Sequence, residues 1–477
     1  MGDEIYDLLI LGGGPAGLAA AAEGLAHGLH VGLVDERPTL GGQIYKQFGR
    51  GFRVREPHRL GRDYARGRRL IEAVEGTAAR LLLRTSAVSI DATSVVLVEE
   101  GAHARAVSAE RILLAAGAHD RPVVFPGWTL PGVLTAGGAQ ALVKTQRVTP
   151  GRRLVFAGSG PLALAFPAQL HHYGARVVLA IEAGPPPTPL DLLRLAGASR
   201  GNLGLLRDAI GYRAQLLRGG VPLRYGRIVV RAEGDERVEA IVHAAVDANW
   251  RVRPGSEERV EADTLCVGYG FFPSVELPLL AGCAMSYDED LGGPLVIVDE
   301  WMRTTVAGVC AAGDGTGVAG SLVAVDEGRL AAMGAALDLG TLPPDVAERR
   351  AAPLRERLRR KRAFREALRP MHAIGAGIYE LARPDTVVCR CEEVVRNDVD
   401  RAVDGSADIN VVKSLTRAGM GLCQGRSCQR QIAALIAARY GVLLADVAPA
   451  TPRLPLRPVP LGAIADANIE DKGFFTR

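Results

Sequence analysis

The chain has 477 residues, 48% of them hydrophobic and 23% charged, with a formal net charge of +4. That length predicts two to four domains, and the hydrophobic content supplies a large core. So small a charge excludes the strongly basic balance of a dedicated nucleic-acid binder. The densest basic run, RRAAPLRERLRRKRAFREALR from Arg349, also holds glutamates and spaces its apolar residues as a helix does. It predicts a solvated helix between domains.

In chain order, the first feature is an apolar N-terminal stretch, LLILGGGPAGLAAAA. Asp3, Glu4 and Asp7 precede it where a secretory leader would be basic, and Glu23 and His27 interrupt it. It is expected neither to be a leader nor to span a bilayer. With seven unevenly spread cysteines, the expectation is a reducing, cytoplasmic setting and no disulfide framework.

Tyr6 to Leu11 has the length of a buried strand. Gly12-Gly13-Gly14-Pro15-Ala16-Gly17 follows as a GxGxxG, then an alanine-rich helix to His27, Gly28, and a second strand ending in acid. Gly12 permits the turn, Gly14 lets the backbone approach a pyrophosphate, and Gly17 lets helix and strand pack closely. Pro15 and Ala16 open the helix, whose free N–H groups attract phosphate. Asp35, eighteen residues after Gly17, is the first candidate for the ribose hydroxyls, and Glu36 the second. The Gly41-Gly42-Gln43 that follows suggests a flavin, since the chain must pass close to a bound cofactor there. The expected cofactor is FAD.

The pattern then repeats in RRLVFAGSGPLALAFPAQLHHYGARVVLAIE. Gly158, Gly160 and Ala163 take the motif positions, and Glu182 ends the second strand. The helix caps match, since Gly12 to Gly28 and Gly158 to Gly174 are both sixteen residues, but the acid falls one residue late. NAD(P), another adenine nucleotide, or nothing are all open for this fold. Pro167 predicts a kink or an early break in its helix. His171 and His172 have no partners at useful spacing and read as ordinary helix residues.

The next landmarks resemble a glutathione-reductase-like fold. ILLAAGAHDRPVVFPG resembles the exit from a flavin domain, TLCVGYGFFP the closing strand of a nicotinamide domain, and VCAAGDGTG a turn that brings Gly313 and Asp314 to the flavin. That likeness implies a hydrogen bond from the ribityl chain to Asp314. It also implies an α/β double Rossmann fold with a split flavin domain, 1–121 and 288–340, around a nicotinamide-like domain, 122–287. A linker helix region, 341–384, follows. No C-x-x-C pair accompanies the flavin; Cys266, Cys283 and Cys310 are isolated among apolar residues and read as structural.

Cys389, Cys391, Cys423 and Cys428 form a separate group at the C-terminal end, as C-x-C and C-x4-C. Four thiolates suit zinc or an iron–sulfur cluster by softness. The flavin context favours [2Fe–2S], which passes single electrons; zinc and unliganded thiols are the alternatives. The group predicts a small, mainly helical domain at 385–445. The proline-rich PATPRLPLRPVPLG opens an extended arm, 446–477, either disordered or laid across a partner.

Together GGGPAGLAAA, DERPTLGGQIY, LPGVLTAGGAQALV and CRCEEV…TRAGMGLCQGRSC resemble the α-subunit family of multi-subunit amine and amino-acid dehydrogenases. Its members include subunits of opine oxidase, hydrogen cyanide synthase, and hydroxyproline or proline dehydrogenase. The tail resembles the bacterioferritin-associated-ferredoxin type, although C-x4-C replaces that type's usual C-x-x-C. The resemblance implies a hetero-oligomer with a D-amino-acid-oxidase-like flavoprotein β-subunit. The β-subunit would oxidise a small secondary amine or amino acid, of the opine, D-hydroxyproline, proline, sarcosine or glycine type. Electrons would pass through the cluster and this chain's FAD. Two other readings are a stand-alone NAD(P)H-dependent reductase and a zinc-binding scaffold protein. No acid, base or nucleophile in the chain stands out as catalytic.

Overall fold

The computed structural model describes residues 5–49, 51–53, 55, 62–101 and 104–465. Asp3, Glu4 and the end of the arm past 465 lie outside the described residues. The chain forms two compact units, one from 1–118, 272–359 and 451–477, the other from 119–271 and 360–450.

In the first unit the apolar run at the N-terminus is the strand Ile5–Leu11, parallel to Val31–Asp35 on one side and Ala104–Leu114 on the other. Arg80–Leu83 extends the sheet beyond Val31–Asp35, Ser94–Glu99 and Thr85–Ile90 extend it beyond Ala104–Leu114, and Val309–Ala311 also pairs with Ala104–Leu114. Leu8, Leu9 and Ile10 are each at most 1% exposed, as a parallel strand covered on both faces requires. The helix Pro15–Ala26 starts on a proline, whose fixed φ suits the first helical position, and gains from its alanine run. It packs on the helix Ser321–Asp338 so closely that a Cβ on Gly328 would collide with Ala16 O.

The second unit holds a five-stranded parallel sheet in the order Leu223–Tyr225, Val177–Glu182, Leu154–Gly158, Thr264–Gly268, Val133–Thr135. A three-stranded antiparallel sheet, Arg227–Glu233, Ala240–Ala245 and Glu258–Glu261, completes its nucleotide-type half. The helix Leu162–His172 runs through Pro167, so of the kink or early break expected there the break does not occur. At mid-helix the proline removes one ladder bond, and burial of Phe166, Pro167 and Ala168 offsets it.

Three expected boundaries move. The closing segment of the first unit begins at Phe272 rather than 288. The cysteine region does not stand alone: Val388, Val399, Val412 and Ile432 share one core with Val155, Ile181, Val229 and Leu265. The Trp128 indole also donates to Val387 O at 2.6 Å, and the Gln431 amide donates to Tyr379 O at 2.8 Å. Nor is the arm free. Leu456 N–H donates to Val88 O at 2.9 Å, and Val459 and Ala463 pack on Val88, Val96 and Val98. Its described residues cover two strands of their own chain, Thr85–Ile90 and Ser94–Glu99.

The arginine-rich run is the helix Pro344–His372. Ala347, Ala351, Leu354 and Leu358 serve the first unit's core, while Phe364 and Met371 pack with Leu195 in the second. Among the described residues no helix is long and apolar enough to cross a membrane.

Candidate functional site

The first glycine loop leaves room for a ligand by keeping side chains out. Gly12 has φ +123°, and a Cβ there would strike the Ala115 carbonyl group. A Cβ on Gly17 would collide with Gly12 O, which is the close helix–strand packing expected. A Cβ on Gly42, at φ +59°, would stand 2.8 Å from Gly14 Cα. The two glycine stretches thus face each other backbone to backbone. No side chain caps the helix at Gly14, and no acid lies in its first turn. Its leading N–H groups and partial positive charge are available to a phosphate.

Asp35 Oδ2 accepts the Gly13 N–H at 2.8 Å, and Oδ1 accepts the Arg37 N–H at 2.8 Å. Burial raises its carboxyl above the ordinary range, against these two hydrogen bonds. A carboxylate offers about four lone-pair sites, so two remain for ribose hydroxyls. Glu36 points elsewhere and ion-pairs with Arg457 of the arm. Gln43 is exposed and accepts from Lys46 Nζ, a buried lysine.

Gly313 takes φ +79° in the turn before the helix Ser321–Asp338. Its N–H donates to Glu327 Oε2 at 2.9 Å, and Thr316 Oγ1 reaches the same oxygen at 3.1 Å. Asp314 accepts the N–H groups of Ala319 and Gly320 at the helix start, and burial raises its carboxyl. Glu327, 5% exposed, was not singled out from sequence. Its only signal is an acid on an otherwise apolar helix face.

The second loop carries a similar pair of hydrogen bonds, but its loop donor lies one motif position further on, since Gly160 corresponds to Gly14 and not to Gly13. Glu182 Oε2 accepts from Gly160 N–H at 3.1 Å, and Oε1 from Gly184 N–H at 2.8 Å. Asp35 bridges the same spans, 22 residues back and two residues on. The late acid keeps this place because the pairing of Val177–Glu182 with Leu154–Gly158 skips Val178. A bulge absorbs the extra residue. The surroundings differ, however. Gly158, Ser159 and Gly160 are all buried, whereas Gly12 and Gly14 are partly open. Glu182 is 2% exposed, and burial raises its carboxyl to about 7.

The four tail cysteines come together as two pairs. Cys389 ends the strand Val387–Cys389, and Cys428 caps the helix Gln429–Tyr440. Both are buried, and the Cys428 thiol donates to Cys389. That bond, with N–H groups of Gly419, Glu392 and Cys391, lowers the Cys389 thiol to about 5. Cys428 is raised in return. Cys391 is exposed and Cys423 half-buried; Cys391 is raised by burial, although the Cys423 N–H opposes this. The neighbouring Cys423 and Cys389 side chains also raise Cys391. A Cβ on Gly421 would collide with Cys391 Cβ and stand 2.9 Å from Glu392 Oε1. Gly419 and Gly425 at φ +91° and +86°, and Gln424 at +52°, turn the chain around the thiols. Among the described residues no three His, Cys, Asp or Glu side chains gather closely enough to hold a single metal ion. Two thiol pairs, with backbone N–H groups aimed at sulfur, are a donor set suited to two soft metal centres.

The remaining cysteines are of a different kind. Cys266, Cys283 and Cys310 are buried, and burial raises all three thiols, Cys310 to about 12.

A glycine loop with an acid behind it, its copy in a second parallel sheet, and a glycine–aspartate turn on a buried helix define a flavoprotein of the double-Rossmann class. The chain belongs to the pyridine nucleotide-disulphide oxidoreductase family, whose model matches residues 6–331. A sarcosine oxidase A3 domain matches residues 384–467. It is similar to the HcnB subunit of hydrogen cyanide synthase from Pseudomonas protegens, 34% identical over 97% of this chain and 98% of that one. It is likewise similar to an opine oxidase subunit from Rhizobium meliloti, 34% identical over 97% and 99%. The fold matches the L-proline dehydrogenase structure from P. horikoshii with a TM-score of 0.68, at 22% identity over 96% and 79% of the chains. The protein is thus a flavoprotein oxidoreductase homologous to subunits of amine and amino-acid oxidases.

Proposed function

We propose that this chain is the electron-transferring α-subunit of a hetero-oligomeric dehydrogenase or oxidase acting on a secondary amine or amino acid. One observation carries the reading: likeness along nearly the whole chain to subunits of hydrogen cyanide synthase and opine oxidase coincides with four thiols set in two pairs on a chain with a flavin-type fold. The carbon–nitrogen bond would be oxidised on a flavoprotein β-subunit of the D-amino-acid-oxidase type, which takes up two electrons as the imine forms. Bound to this chain, FAD would exchange electron pairs and a [2Fe–2S] cluster single electrons.

The chain's own residues have the following parts in this reading. Gly12, Gly14, Pro15, Ala16 and Gly17 present backbone to the FAD pyrophosphate. Asp35 takes the ribose, Gly42 and Gln43 line the approach, and Gly313 and Asp314 form the turn beside the flavin. Cys389, Cys391, Cys423 and Cys428 would hold the cluster, supplying one thiolate each. N–H groups of Gly419, Glu392, Cys391 and Cys423 disperse sulfur charge. Exposed Cys391 supports an outlet to a partner at this edge, as do Leu415 and Leu422, 66% and 82% exposed. Seven free cysteines support a reducing, cytoplasmic setting.

The test is the visible spectrum and metal content of the purified chain, alone and with its β-subunit. Flavin and iron bands that an amine bleaches only in the complex are expected. Cys391→Ser should lose iron absorbance and slow electron transfer. Zinc in place of iron would favour the scaffold reading, and NADH bleaching of the isolated chain the stand-alone reductase.

A further inference from the structure

The second nucleotide loop is covered by the chain itself. The C-terminal end of the helix Pro344–His372 folds over it within the second unit. The Met371 carbonyl oxygen lies 2.2 Å from the place of a Cβ on Gly184, close enough to exclude one. The His372 ring stands 3.9 Å from the place of a Cβ on Gly160, and its Nδ1 lies 3.9 Å from Glu182 Oε2. Gly184 is the second residue after the acid; in the first copy that place is taken by Arg37. A glycine there lets a foreign backbone approach.

The match between helix end and loop is close in shape and poor in polar pairing. At 3.9 Å His372 Nδ1 is beyond hydrogen-bond range of the Glu182 carboxylate. That nitrogen is buried and has no hydrogen-bond partner among the described residues. A ribose hydroxyl in the same place could donate to Oε2 at normal distance. The occupant therefore excludes a nucleotide from the acid while gaining little from the acid itself.

We propose that Met371 and His372 are the self-ligand of the second nucleotide fold, so that a dinucleotide enters only when this helix end leaves. His372 is then the residue that sets the fold's apparent affinity. If the open form is a fraction f of the population, the observed dissociation constant is the intrinsic one divided by f. This is independent of the electron-transfer reading and would survive its failure.

The experiment is NADH titration of the full-length, flavin-loaded chain followed by calorimetry, with His372→Gly as the variant. The variant should bind at least about tenfold tighter than wild type, and adding Glu182→Ala should reverse the gain, which places it at this loop. Amide exchange protection retained in the strands Leu154–Gly158 and Thr264–Gly268 shows that the variant's second unit folds. As a second measurement on the wild type, saturating NADH should speed amide hydrogen exchange at residues 369–375. A variant that binds no tighter than wild type overturns the proposal. So does NADH binding to the wild type that leaves exchange at 369–375 unchanged.

Discussion

Glu182 and His372 should make the second unit's stability respond to pH in opposite senses. Burial raises the Glu182 carboxyl from 4.5 to about 7 and lowers the His372 imidazole from 6.5 to about 4. At about 1.36 kcal/mol per unit of pKa, each change is worth about 3 kcal/mol when complete, as an upper figure for the partly exposed histidine. A raised carboxyl contributes stability that is full below pH 4.5 and is lost as pH rises through 7. A lowered imidazole contributes stability that is full above pH 6.5 and is lost as pH falls through 4. Between 4.5 and 6.5 the two slopes oppose each other, so the wild type should be nearly flat there. Glu182→Gln leaves only the histidine term, and local stability should fall toward acid. His372→Asn leaves only the carboxyl term, and stability should fall toward alkali. Opening free energies from amide hydrogen exchange at 158–184, corrected for intrinsic rates, would read all three profiles. One common slope for the three proteins would show that burial does not shift these groups as described.

Further outcomes concern the flavin and thiol regions. Gly421→Ala forces a Cβ against Cys391, so on the proposed cluster reading bound iron per chain should fall by more than half while the second unit still folds; metal analysis beside circular dichroism checks both. Gly328→Ala drives a methyl into Ala16 O at the helix crossing. It should destabilise the first unit by about 1–3 kcal/mol, with faster flavin loss on dialysis. Asp35→Asn should weaken flavin retention, measured by fluorescence of released flavin. Glu36→Gln should leave retention unchanged, since Glu36 faces Arg457 in an exposed pair worth less than about 1 kcal/mol.

The two glycine loops are legible because the backbone demands them: Gly12, Gly17 and Gly42 each sit where a Cβ would collide. Strand, turn and helix follow one another locally, so periodicity and punctuation suffice. The four cysteines are equally visible, but their pairing is not. Cys389 with Cys428 and Cys391 with Cys423 depends on how the turns at Gly419 and Gly425 fold back. Spacing alone also misjudged the second acid. Glu182 is one residue late by count, yet a bulge at Val178 restores its phase, and strand register depends on the neighbouring strand. Glu327 left only the trace of an acid on an apolar helix face, and the Met371–His372 cover left none. The latter joins positions about two hundred residues apart, beyond any motif. The break expected at Pro167 failed because a buried site can tolerate one missing hydrogen bond, and the arm's attachment to Val88 failed to show because proline-rich sequence has no period to read.

The return of the arm to Val88 has a practical side. The first unit is assembled from three stretches of chain and the second from two. Neither can be excised as one continuous fragment. Stopping the chain after the thiol region, at residue 450, would strip the cover from Val88, Val96 and Val98. It would bare a β-branched strand to water, an aggregation hazard far from the deletion itself. A tag placed beyond residue 465 keeps that cover; a truncation meant to trim a loose tail would unbutton the flavin unit instead.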